Sequence, residues 1–476
     1  MLFGVCIGPS FSLAKKQLLS IIPYVDGVEI RLDLLNPHAL RSLKELLSLW
    51  NKKIIITFGP CSKVSLQKLH TILISSPDYI DLPWDSDETE LGRVREYFPS
   101  TKLILSYHDF TETKDLNIYF EKIQSRSPDV IKIATKANTS LDSLQMLTLS
   151  CRARDENKSF IGLCMGDPGK ITRILSKIVG NELTFGSWDA FRSAPGQIDI
   201  KDMIHTYRYN HLSESTKVFT LIGEHISQSL SPTIHNFIFS TSSTKAIYVS
   251  LPLQRGELSS FLEFFKQLPF FSGASITTPF KEEVLLRSEG MASSVQSIGA
   301  ANTLSKEAGT ILLANTDGIG ALKSVQTELD LAGKTVLILG AGGTARALAF
   351  SFAPWAEKVA IAARSDQKAH QLASVIGCSW SSWEQVGKNK WDVIINATSS
   401  TNPLSLSTFS CGDIVMDCNY NPRVTAFLHQ GQAKGFLAIE GLRMLIYQAI
   451  EQQKIWMKRE IPISFHQIHE MLESLG

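Results

Sequence analysis

Two basic side chains in the first half of the chain have the types and spacing needed for imine chemistry. Lys132 lies between Ile131 and Ile133 in an apolar run, and His108 lies near the end of the preceding one. Burial between isoleucines would disfavour the ammonium form and leave a neutral amine that attacks a carbonyl carbon. A histidine on the adjacent strand would move protons near neutral pH. The alternative is a structural ion pair between Lys132 and Glu29.

A glycine-rich turn in the second half could hold a dinucleotide. Residues 335–348 read TVLILGAGGTARAL, an apolar strand that runs through Gly340, Ala341, Gly342 and Gly343 into a helical pattern. Such a turn places a pyrophosphate at the N-terminus of a helix. Turns of this kind also arise for packing alone, so the next strand has to be considered with it.

The strand that follows the turn favours NADP over NAD. It is predicted at residues 358–363 and is followed by Arg364 and Ser365. An NAD-binding domain usually carries an acidic residue there for the ribose 2′-hydroxyl, whereas a guanidinium pairs with a 2′-phosphate. An ordinary solvated arginine is the alternative.

Hydroxyl groups, a lysine and an aspartate precede the glycine turn. Ser229 and Ser231 lie where a helix is predicted to begin, with Ser231 as its N-cap and Pro232 in its first turn. Hydroxyl groups at a helix N-terminus suit a bound carboxylate, although the role could be purely structural. Lys281 follows a turn that contains proline, and Asp317 lies in a loop. They form a candidate catalytic pair or an exposed salt bridge.

The composition excludes several classes of function. The chain has 476 residues, too many for one core, and its 47 basic and 46 acidic residues leave a net charge of +1. Without a basic block, we expect no nucleic-acid partner. Without a signal peptide or an apolar span, we expect a cytoplasmic protein with no membrane partner. The 7 cysteines form no C-x-x-C pair, so neither a disulfide framework nor a metal site is predicted.

Short apolar strands alternate with helical stretches in the first half. They are predicted at residues 2–8, 27–33, 53–59, 79–83, 102–110, 130–134, 160–166 and 183–188. Eight strand–helix units of about 25 residues are what a closed parallel barrel requires, although an open sheet has the same spacing. In a barrel, polar residues at the carboxyl ends of the strands carry the chemistry. Glu29 and Arg31, two apart, would share one face of their strand.

We therefore predict an α/β protein with an N-terminal (β/α)8 barrel and a two-domain α/β unit that includes a Rossmann domain. The barrel is predicted at residues 1–208, and a linker at 209–217, where the sequence is polar and aperiodic. A substrate-binding domain is predicted at 218–321 and the Rossmann domain at 322–440. Residues 441–476 are predicted to form helices that pack back on the substrate-binding domain.

The first half resembles the type I 3-dehydroquinate dehydratases. The matching segments VEIRLD, SYHDF, VIKIA, CMGDPGKITR and FGSWDAFRSAPGQ are spread over most of residues 1–208. The resemblance implies that Lys132 forms a Schiff base, that His108 is the general acid and base, and that no cofactor is needed beyond the Lys132 imine. It also implies substrate contacts, the last three to the substrate carboxylate, from Glu29, Arg31, Arg173, Ser193 and Gln197.

Two positions of the first half depart from that family. Gly59 stands where the family usually has an arginine that contacts substrate hydroxyls, and Pro83 stands where it has the glutamate that orients the histidine. Asp81 has the same strand parity as Pro83 and is expected to compensate for it. We expect dehydratase activity that survives these changes at a reduced rate.

The second half resembles the shikimate dehydrogenases over nearly all of residues 218–460. The matching segments are SxSPxxHN, TxPFK, GAANT, NTDG, GAGG, INATS, DCNYNP and GLRMLIYQA. The resemblance implies that Lys281 and Asp317 are the catalytic pair. It implies substrate contacts from Ser229, Ser231, Thr277, Asn302, Tyr420 and Gln448, and NADP contacts from Gly340, Ala341, Gly342, Gly343, Arg364, Ser365, Asn396 and Thr398. Gln228 and Ser275 replace the usual histidine and asparagine.

The two implied activities are consecutive, because 3-dehydroshikimate is the product of the first and the substrate of the second. We predict a bifunctional enzyme of the shikimate pathway, which leads to chorismate and the aromatic amino acids. Its partners are these small molecules, and self-association into a homo-oligomer is left open. The alternatives are a shikimate dehydrogenase with a degenerate, non-catalytic barrel and a non-enzymatic sensor that binds NADP and a hydroxy acid.

Overall fold

The computed structural model describes residues 1–6, 10–36, 43–48, 50–58, 65–73, 76–188, 194–287 and 289–474. The chain forms two compact units. The first comprises Met1–Thr216 with Leu251–Leu253, and the second comprises Lys217–Ser250 with Gln254–Gly476. Both contain parallel strands alternating with helices, so the predicted α/β class is confirmed.

The first unit is a barrel of 8 parallel strands. They are β1 Leu2–Cys6, β2 Gly27–Arg31, β3 Lys53–Thr57, β4 Tyr79–Pro83, β5 Lys102–Asp109, β6 Val130–Lys136, β7 Phe160–Met165 and β8 Thr184–Gly186. Neighbours in sequence pair from β1 to β7, and β1 also pairs with β8. Just before β8, the Glu182 amide donates to the Phe160 carbonyl at 2.8 Å. The ring is nearly closed, and the barrel prediction is confirmed.

Helices alternate with these strands. They are Phe11–Ile21, Leu43–Ser48, Leu66–Ile72, Glu88–Tyr97, Leu116–Gln124, Ser140–Asp155, Lys170–Ile174 and Ile200–His205. An apolar layer fills the barrel interior with Phe3, Val5, Ile55, Tyr79, Ile104, Val130, Ala134, Ile161, Leu163, Leu183 and Phe185. The alternation of side chains along each strand turns Glu29, Asp81 and Lys132 toward the same interior.

The predicted linker at 209–217 is wrong for most of its length. Tyr209 is fully buried, and its hydroxyl group lies 2.7 Å from Ser176 Oγ. Leu212 is buried as well. These two apolar anchors stand within a polar, aperiodic segment, and they extend the barrel unit to Thr216.

The second unit contains two sheets. The first is mixed, with strands β9 Lys217–Gly223, β10 Ala246–Pro252, β11 Phe271–Ile276, β12 Gly290–Met291, β13 Thr303–Glu307 and β14 Thr310–Ala314 in the order β10-β9-β11-β13-β14-β12. The second is parallel, with β15 Thr335–Leu339, β16 Lys358–Ala362, β17 Ser379–Trp380, β18 Val393–Asn396, β19 Ile414–Asp417 and β20 Leu437–Ile439 in the order β17-β16-β15-β18-β19-β20. That order is the Rossmann arrangement, whose crevice lies where the chain direction reverses, beside β15.

The helices of this unit are Ser231–Thr241, Leu258–Gln267, Phe280–Glu283, Ser293–Ile298, Asp317–Gln326, Gly343–Phe352, Asp366–Ile376, Ala426–Ala433, Gly441–Met457 and Phe465–Glu473. The boundary predicted between residues 321 and 322 falls inside one of them. Leu322 of that helix packs into the Rossmann core. Ile446 of the helix Gly441–Met457 packs against Ile234 in the helix that precedes β10.

Within the described ranges, no helix is long and apolar enough to cross a membrane. In the same ranges, no three His, Cys, Asp or Glu side chains come together as a group that could hold a metal ion. The described cysteines are free thiols.

Candidate active sites

A lysine inside the barrel lies between two carboxylates. Lys132 Nζ donates to Asp81 Oδ2 at 2.6 Å and lies 3.6 Å from Glu29 Oε1. Thr57 Oγ1 donates to the same Glu29 oxygen at 2.8 Å. None of the three charged residues is more than 5% exposed. The barrel therefore encloses one ammonium and two carboxylates away from solvent.

The protonation state of Lys132 differs from the expectation based on sequence. Burial by itself lowers the pKa of Lys132, but the carboxylates of Asp81 and Glu29 outweigh it and the pKa is raised. The expected neutral amine is wrong because Asp81 reaches Lys132 across the intervening strand β5, a contact that residue spacing does not reveal. The alternative ion pair with Glu29 is present as the longer of the two contacts. The amine must lose a proton before it attacks a carbonyl carbon.

His108 lies at the mouth of the barrel. It is two residues beyond Ser106, which pairs with Lys132 across β5 and β6. The residue is exposed at the mouth, and its ring stacks on Phe110 with the centroids 6.1 Å apart. Desolvation of the ring, and next the positive charge of Lys132, lower the pKa of His108. The imidazole is therefore neutral at pH 7 and able to accept a proton.

Asp81 bonds to the lysine and not to the histidine. Asp81 lies two residues deeper along β4 than Pro83, opposite Ile104, so its carboxylate meets the Lys132 amine. The compensation that we expected through the histidine is therefore wrong. Asp81 Oδ1 is buried and has no hydrogen-bond partner among the described residues. Gly59, the other departure, lies outside the described residues.

Arg173 is a buried cation with spare hydrogen-bonding capacity. It is 3% exposed, and its Nη1 donates to the Cys164 carbonyl while its Nε has no described partner. Desolvation lowers the pKa of Arg173 to about 10, so it stays charged at neutral pH. A buried charge of this kind favours a bound anion. Gln197 is also buried, and Ser193 lies outside the described residues.

Arg31 is held in place at the end of β2. Its Nε and Nη2 donate to the two carboxylate oxygens of Asp33 at 2.9 and 2.7 Å. This hydrogen-bonded pair raises the pKa of Arg31. A neighbouring carboxylate therefore fixes the position of the Arg31 guanidinium, which is predicted to contact the substrate.

The second unit contains a cleft of about 460 Å3 between its two sheets. The cleft brings together the predicted catalytic pair and every substrate contact predicted for this half. They are Lys281, Asp317, Ser229, Ser231, Thr277, Asn302, Tyr420 and Gln448, with Thr398 from the Rossmann side.

Lys281 and Asp317 form a hydrogen-bonded pair in the cleft. Lys281 Nζ donates to Asp317 Oδ2 and, at 3.0 Å, to Thr344 Oγ1. Asn302 Nδ2 donates to Asp317 Oδ1 at 2.7 Å, so both carboxylate oxygens are held. The side chains of the pair are 14% and 7% exposed, which excludes an exposed salt bridge. Thr344 was not predicted, although its place directly after Gly343 was a usable signal.

The glycine turn is shaped by close approaches. Gly340 has a φ of +121°, a conformation that favours glycine. A Cβ at Gly340 would lie 3.0 Å from the Ala397 carbonyl oxygen, and a Cβ at Gly343 would lie 3.2 Å from Lys281 Cβ. The turn therefore brings the N-terminus of the helix Gly343–Phe352 beside the lysine, with its first amides available to an anion.

The serine pair stands at the start of the helix Ser231–Thr241. Leu230 is the N-cap, so the N-cap predicted at Ser231 is one residue too late. Ser229 Oγ donates to Ser231 Oγ at 3.1 Å and accepts from the Ser231 amide at 3.2 Å. Both hydroxyl groups line the cleft.

Gln452 is a cleft residue that the sequence analysis missed. Ser275 Oγ donates to Gln452 Oε1 at 2.8 Å, and Gln452 Nε2 donates to the Asn302 carbonyl at 3.0 Å. The amide of Gln452 thus lies beside Ser275. Its spacing of four residues from Gln448 on one helix was the available signal.

Arg364 and Ser365 follow β16. Arg364 is exposed, and no acidic side chain in the described ranges lies within ion-pair distance of it. Ser365 Oγ accepts from the Lys368 amide at 3.4 Å and caps the next helix. An exposed guanidinium beside a helix N-terminus suits a phosphate group.

The direct cofactor contact predicted for Asn396 is corrected by its burial. Asn396 is 0% exposed. Its Nδ2 donates to Asp417 Oδ1 at 3.0 Å and its Oδ1 accepts from Thr398 Oγ1 at 2.7 Å. Asn396 therefore positions the loop that carries Thr398, and Thr398 reaches the cleft.

A buried histidine behind the cleft predicts weaker stability in acid. His235 is 0% exposed, its ring lies 4.2 Å from that of Tyr248, and desolvation lowers the pKa of His235 to about 3. The unfolded chain takes up this proton below about pH 6.5, so stability falls as the pH drops below that value. We expect the free energy of unfolding of this unit to be about 2 kcal/mol lower at pH 5 than at pH 7 from this residue. Urea titrations at both pH values, with His235→Gln as the comparison, measure the effect, and equal pH dependence in the two proteins would contradict it.

A nearly closed barrel with a buried lysine, joined to a Rossmann-containing unit with a lysine–aspartate pair, defines a chain with two enzyme sites, a lyase and an oxidoreductase. The sequence profile of type I 3-dehydroquinase matches residues 5–214. Those of the shikimate dehydrogenase substrate binding domain and of shikimate/quinate 5-dehydrogenase match residues 221–304 and 321–409. The chain belongs to the family of bifunctional 3-dehydroquinate dehydratase/shikimate dehydrogenases, enzymes of the shikimate pathway.

Relatives match along the whole chain. The shikimate biosynthesis protein AroDE of Chlamydia pneumoniae is 32% identical over 96% of this chain and 95% of its own length. The chloroplastic bifunctional 3-dehydroquinate dehydratase/shikimate dehydrogenase of Arabidopsis thaliana is 31% identical over 90% and 77%. Among solved structures, a shikimate dehydrogenase in complex with NADP+ is 30% identical, with a TM-score of 0.52 over 56% of this chain and 98% of its own. The shikimate dehydrogenase of Aquifex aeolicus is 29% identical, with a TM-score of 0.51 over 55% and 99%.

Proposed function

We propose that the barrel dehydrates 3-dehydroquinate through an imine on Lys132, and that the second unit reduces 3-dehydroshikimate to shikimate through Lys281 and Asp317 with NADPH. The observation that carries the proposal is that each lysine is held by a carboxylate in an enclosed site. In the barrel such a pair fixes the nucleophilic nitrogen beside a group that can take its proton. In the cleft it positions an ammonium group where the ketone oxygen needs a proton.

In the barrel, Lys132 is the nucleophile. Its deprotonated amine attacks C3 of the substrate, water leaves, and the iminium acidifies the proton at C2. His108, neutral at pH 7, removes that proton and returns it to the C1 hydroxyl group, which departs as water. Hydrolysis of the imine releases 3-dehydroshikimate and restores Lys132.

The substrate carboxylate is assigned to Arg173. Its buried and unpartnered Nε supports the assignment because an anion would complete its hydrogen bonding. Gln197 and Ser193 are proposed to share this carboxylate. Glu29 and Arg31 are proposed to contact the rest of the substrate.

In the cleft, Lys281 handles the proton. Bound NADPH supplies the hydride, and the ammonium of Lys281 protonates the oxygen that becomes the alkoxide. Asp317 and Thr344 hold Lys281 Nζ in position. Ser229 and Ser231 are assigned to the carboxylate. The remaining proposed contacts are Thr277, Asn302, Tyr420 and Gln448, with Gln452 in addition.

The nucleotide residues of this chain fit NADP. The glycine turn leaves room for a pyrophosphate, the guanidinium of Arg364 has no described acidic partner, and Thr398 lines the cleft. The proposed contacts are Gly340, Ala341, Gly342 and Gly343 for the pyrophosphate, Arg364 and Ser365 for the 2′-phosphate, and Thr398 toward the nicotinamide.

Replacing Arg364 by alanine should weaken NADPH selectively. The guanidinium would pair with the 2′-phosphate, which NADH lacks, so we expect the KM for NADPH to rise by about 10- to 100-fold, the worth of a charge-assisted hydrogen bond. Initial rates with NADPH at saturating 3-dehydroshikimate measure the effect, and the same rates with NADH are the control. Equal changes for NADPH and NADH would remove the assignment.

A coupled assay tests both halves. The full chain is given 3-dehydroquinate and NADPH, and enone absorbance, NADPH loss and shikimate are followed together. Formation of shikimate with equivalent loss of NADPH supports both proposed sites. If added 3-dehydroshikimate is reduced while 3-dehydroquinate is not consumed, the barrel is the degenerate module of the alternative. The retained Lys132, His108 and Arg173 argue against that alternative.

The proposal extends to surroundings and partners. We propose small-molecule substrates as the partners of this enzyme and a cytoplasmic location. The balanced charge supports the proposal that it has no nucleic-acid partner. Sedimentation of the full chain would measure whether it forms a homo-oligomer. We propose a barrel domain ending near Thr216, with the substrate-binding, Rossmann and C-terminal helical segments following in the order predicted.

A further inference from the structure

The carboxylates of Asp81 and Glu29 hold the side chain of Lys132 as an ammonium group, which cannot attack a carbonyl carbon. An ammonium group has no lone pair, so it must give up a proton before it attacks a carbonyl carbon. Pro83, two residues beyond Asp81 on the same strand, has no acid–base group. Another group must therefore take the proton of Lys132.

Asp81 has the geometry for that task. Its Oδ2 lies 2.6 Å from Lys132 Nζ, whereas the Glu29 oxygen is 3.6 Å away and already accepts from Thr57. Asp81 Oδ1 is buried without a described partner, so one lone-pair-bearing oxygen remains for a proton or a substrate hydroxyl group. His108 lies nearer the mouth, where it faces the substrate carbons in the mechanism above.

We propose that Asp81 is the acid–base catalyst of imine formation and imine hydrolysis at Lys132. This proposal rests on the proposed function of the barrel. Asp81 takes one proton from the ammonium, Nζ forms a bond to C3, and Asp81 returns the proton to the former carbonyl oxygen. Asp81 then moves a second N–H proton to that oxygen, the C–O bond breaks, and water leaves. The iminium keeps one N–H, Asp81 ends as a carboxylate, and hydrolysis reverses these steps.

This assignment separates two tasks. Asp81 serves the nitrogen of Lys132, and His108 serves C2 and the C1 hydroxyl group. A carboxylate beside the iminium also balances its positive charge throughout the reaction. Loss of Asp81 should therefore slow imine formation itself, while loss of His108 should leave imine formation and stop the elimination.

The test compares Asp81→Asn with Asp78→Asn in the full chain. Asp78 precedes the same strand and accepts a hydrogen bond from the Ile54 amide at 2.9 Å, so its replacement removes a carboxylate from the same strand region. We expect Asp81→Asn to slow borohydride-trapped imine formation in single turnovers, and dehydratase kcat, by about 100-fold. Asp78→Asn should stay within about 3-fold, and urea titration of each chain reports whether its barrel is folded.

Each outcome decides a separate question. If the unaltered chain gives no borohydride adduct at Lys132, the proposed function of the barrel fails and Asp81 is not at issue. If the unaltered chain gives the adduct and Asp81→Asn forms it at the same rate, the proposal for Asp81 is overturned. Asp81→Glu restores a carboxylate, so we expect it to recover part of the rate with an altered pH profile. If a folded Asp81→Glu chain shows no recovery and Asp78→Asn is equally slow, Asp81 has a structural role and the proposal is overturned.

Discussion

Replacing Lys132 by alanine is expected to abolish dehydration of 3-dehydroquinate while the same chain still reduces 3-dehydroshikimate. The change removes the only nitrogen that the mechanism uses as a nucleophile, so the dehydratase kcat should fall by at least about 10,000-fold, as when other enzymes lose their nucleophile. Enone absorbance measures the first reaction, and NADPH oxidation with added 3-dehydroshikimate measures the second.

Lys136 offers a matched control for this experiment. It lies on the same strand as Lys132 but is exposed at the strand end. Lys136→Ala should keep both activities. If Lys132→Ala retained more than about 1% of the dehydratase rate, an imine on this lysine could not be the reaction path, and the barrel would need another mechanism.

Replacing Lys281 by alanine should have the opposite selectivity. The ammonium is held by Asp317 and Thr344 in the cleft, and without it the developing alkoxide has no proton donor. We expect the dehydrogenase kcat to fall by about 100- to 10,000-fold, the usual contribution of a general acid. Asp317→Asn should show a smaller loss of the same kind, and dehydration of 3-dehydroquinate should be unchanged in both variants. NADPH oxidation at saturating 3-dehydroshikimate is the measurement.

Lys323 provides the comparison for the cleft lysine. It lies on the helix that begins at Asp317 and pairs with Glu451 at 2.5 Å. Lys323→Ala should leave kcat within about 2-fold, because this half-buried lysine does not line the cleft. Equal losses in Lys281→Ala and Lys323→Ala would show that the effect is structural and would remove Lys281 from the proton-transfer step.

The local pattern of the sequence was enough to predict the fold. The barrel strands and the Rossmann strand–turn–helix are encoded by short apolar runs and by glycines, and both signals act between residues that are close in the chain. The linker was misplaced for the same reason. Tyr209 belongs to the barrel through a contact with Ser176, and composition within a window cannot register a single buried aromatic residue.

The charges of the sites needed the tertiary structure. Lys132 was expected to be neutral because its neighbours in sequence are isoleucines, but Asp81 from another strand keeps it an ammonium. Asn396 was expected to touch the cofactor, but burial gives it a supporting position behind Thr398. In both cases the deciding contact joins residues that are distant in the sequence or hidden by packing.

The sequence by itself determined which chemical groups the chain carries, along with its fold class and its family, because these depend on residue type and on periodicities set by the backbone. Only the tertiary structure decided which carboxylate meets which amine, where Gln452 and Thr344 enter the cleft, and which polar atoms lack a described partner. The physical reason is that protonation and hydrogen bonding depend on distances of a few ångströms between side chains, and strand packing sets those distances.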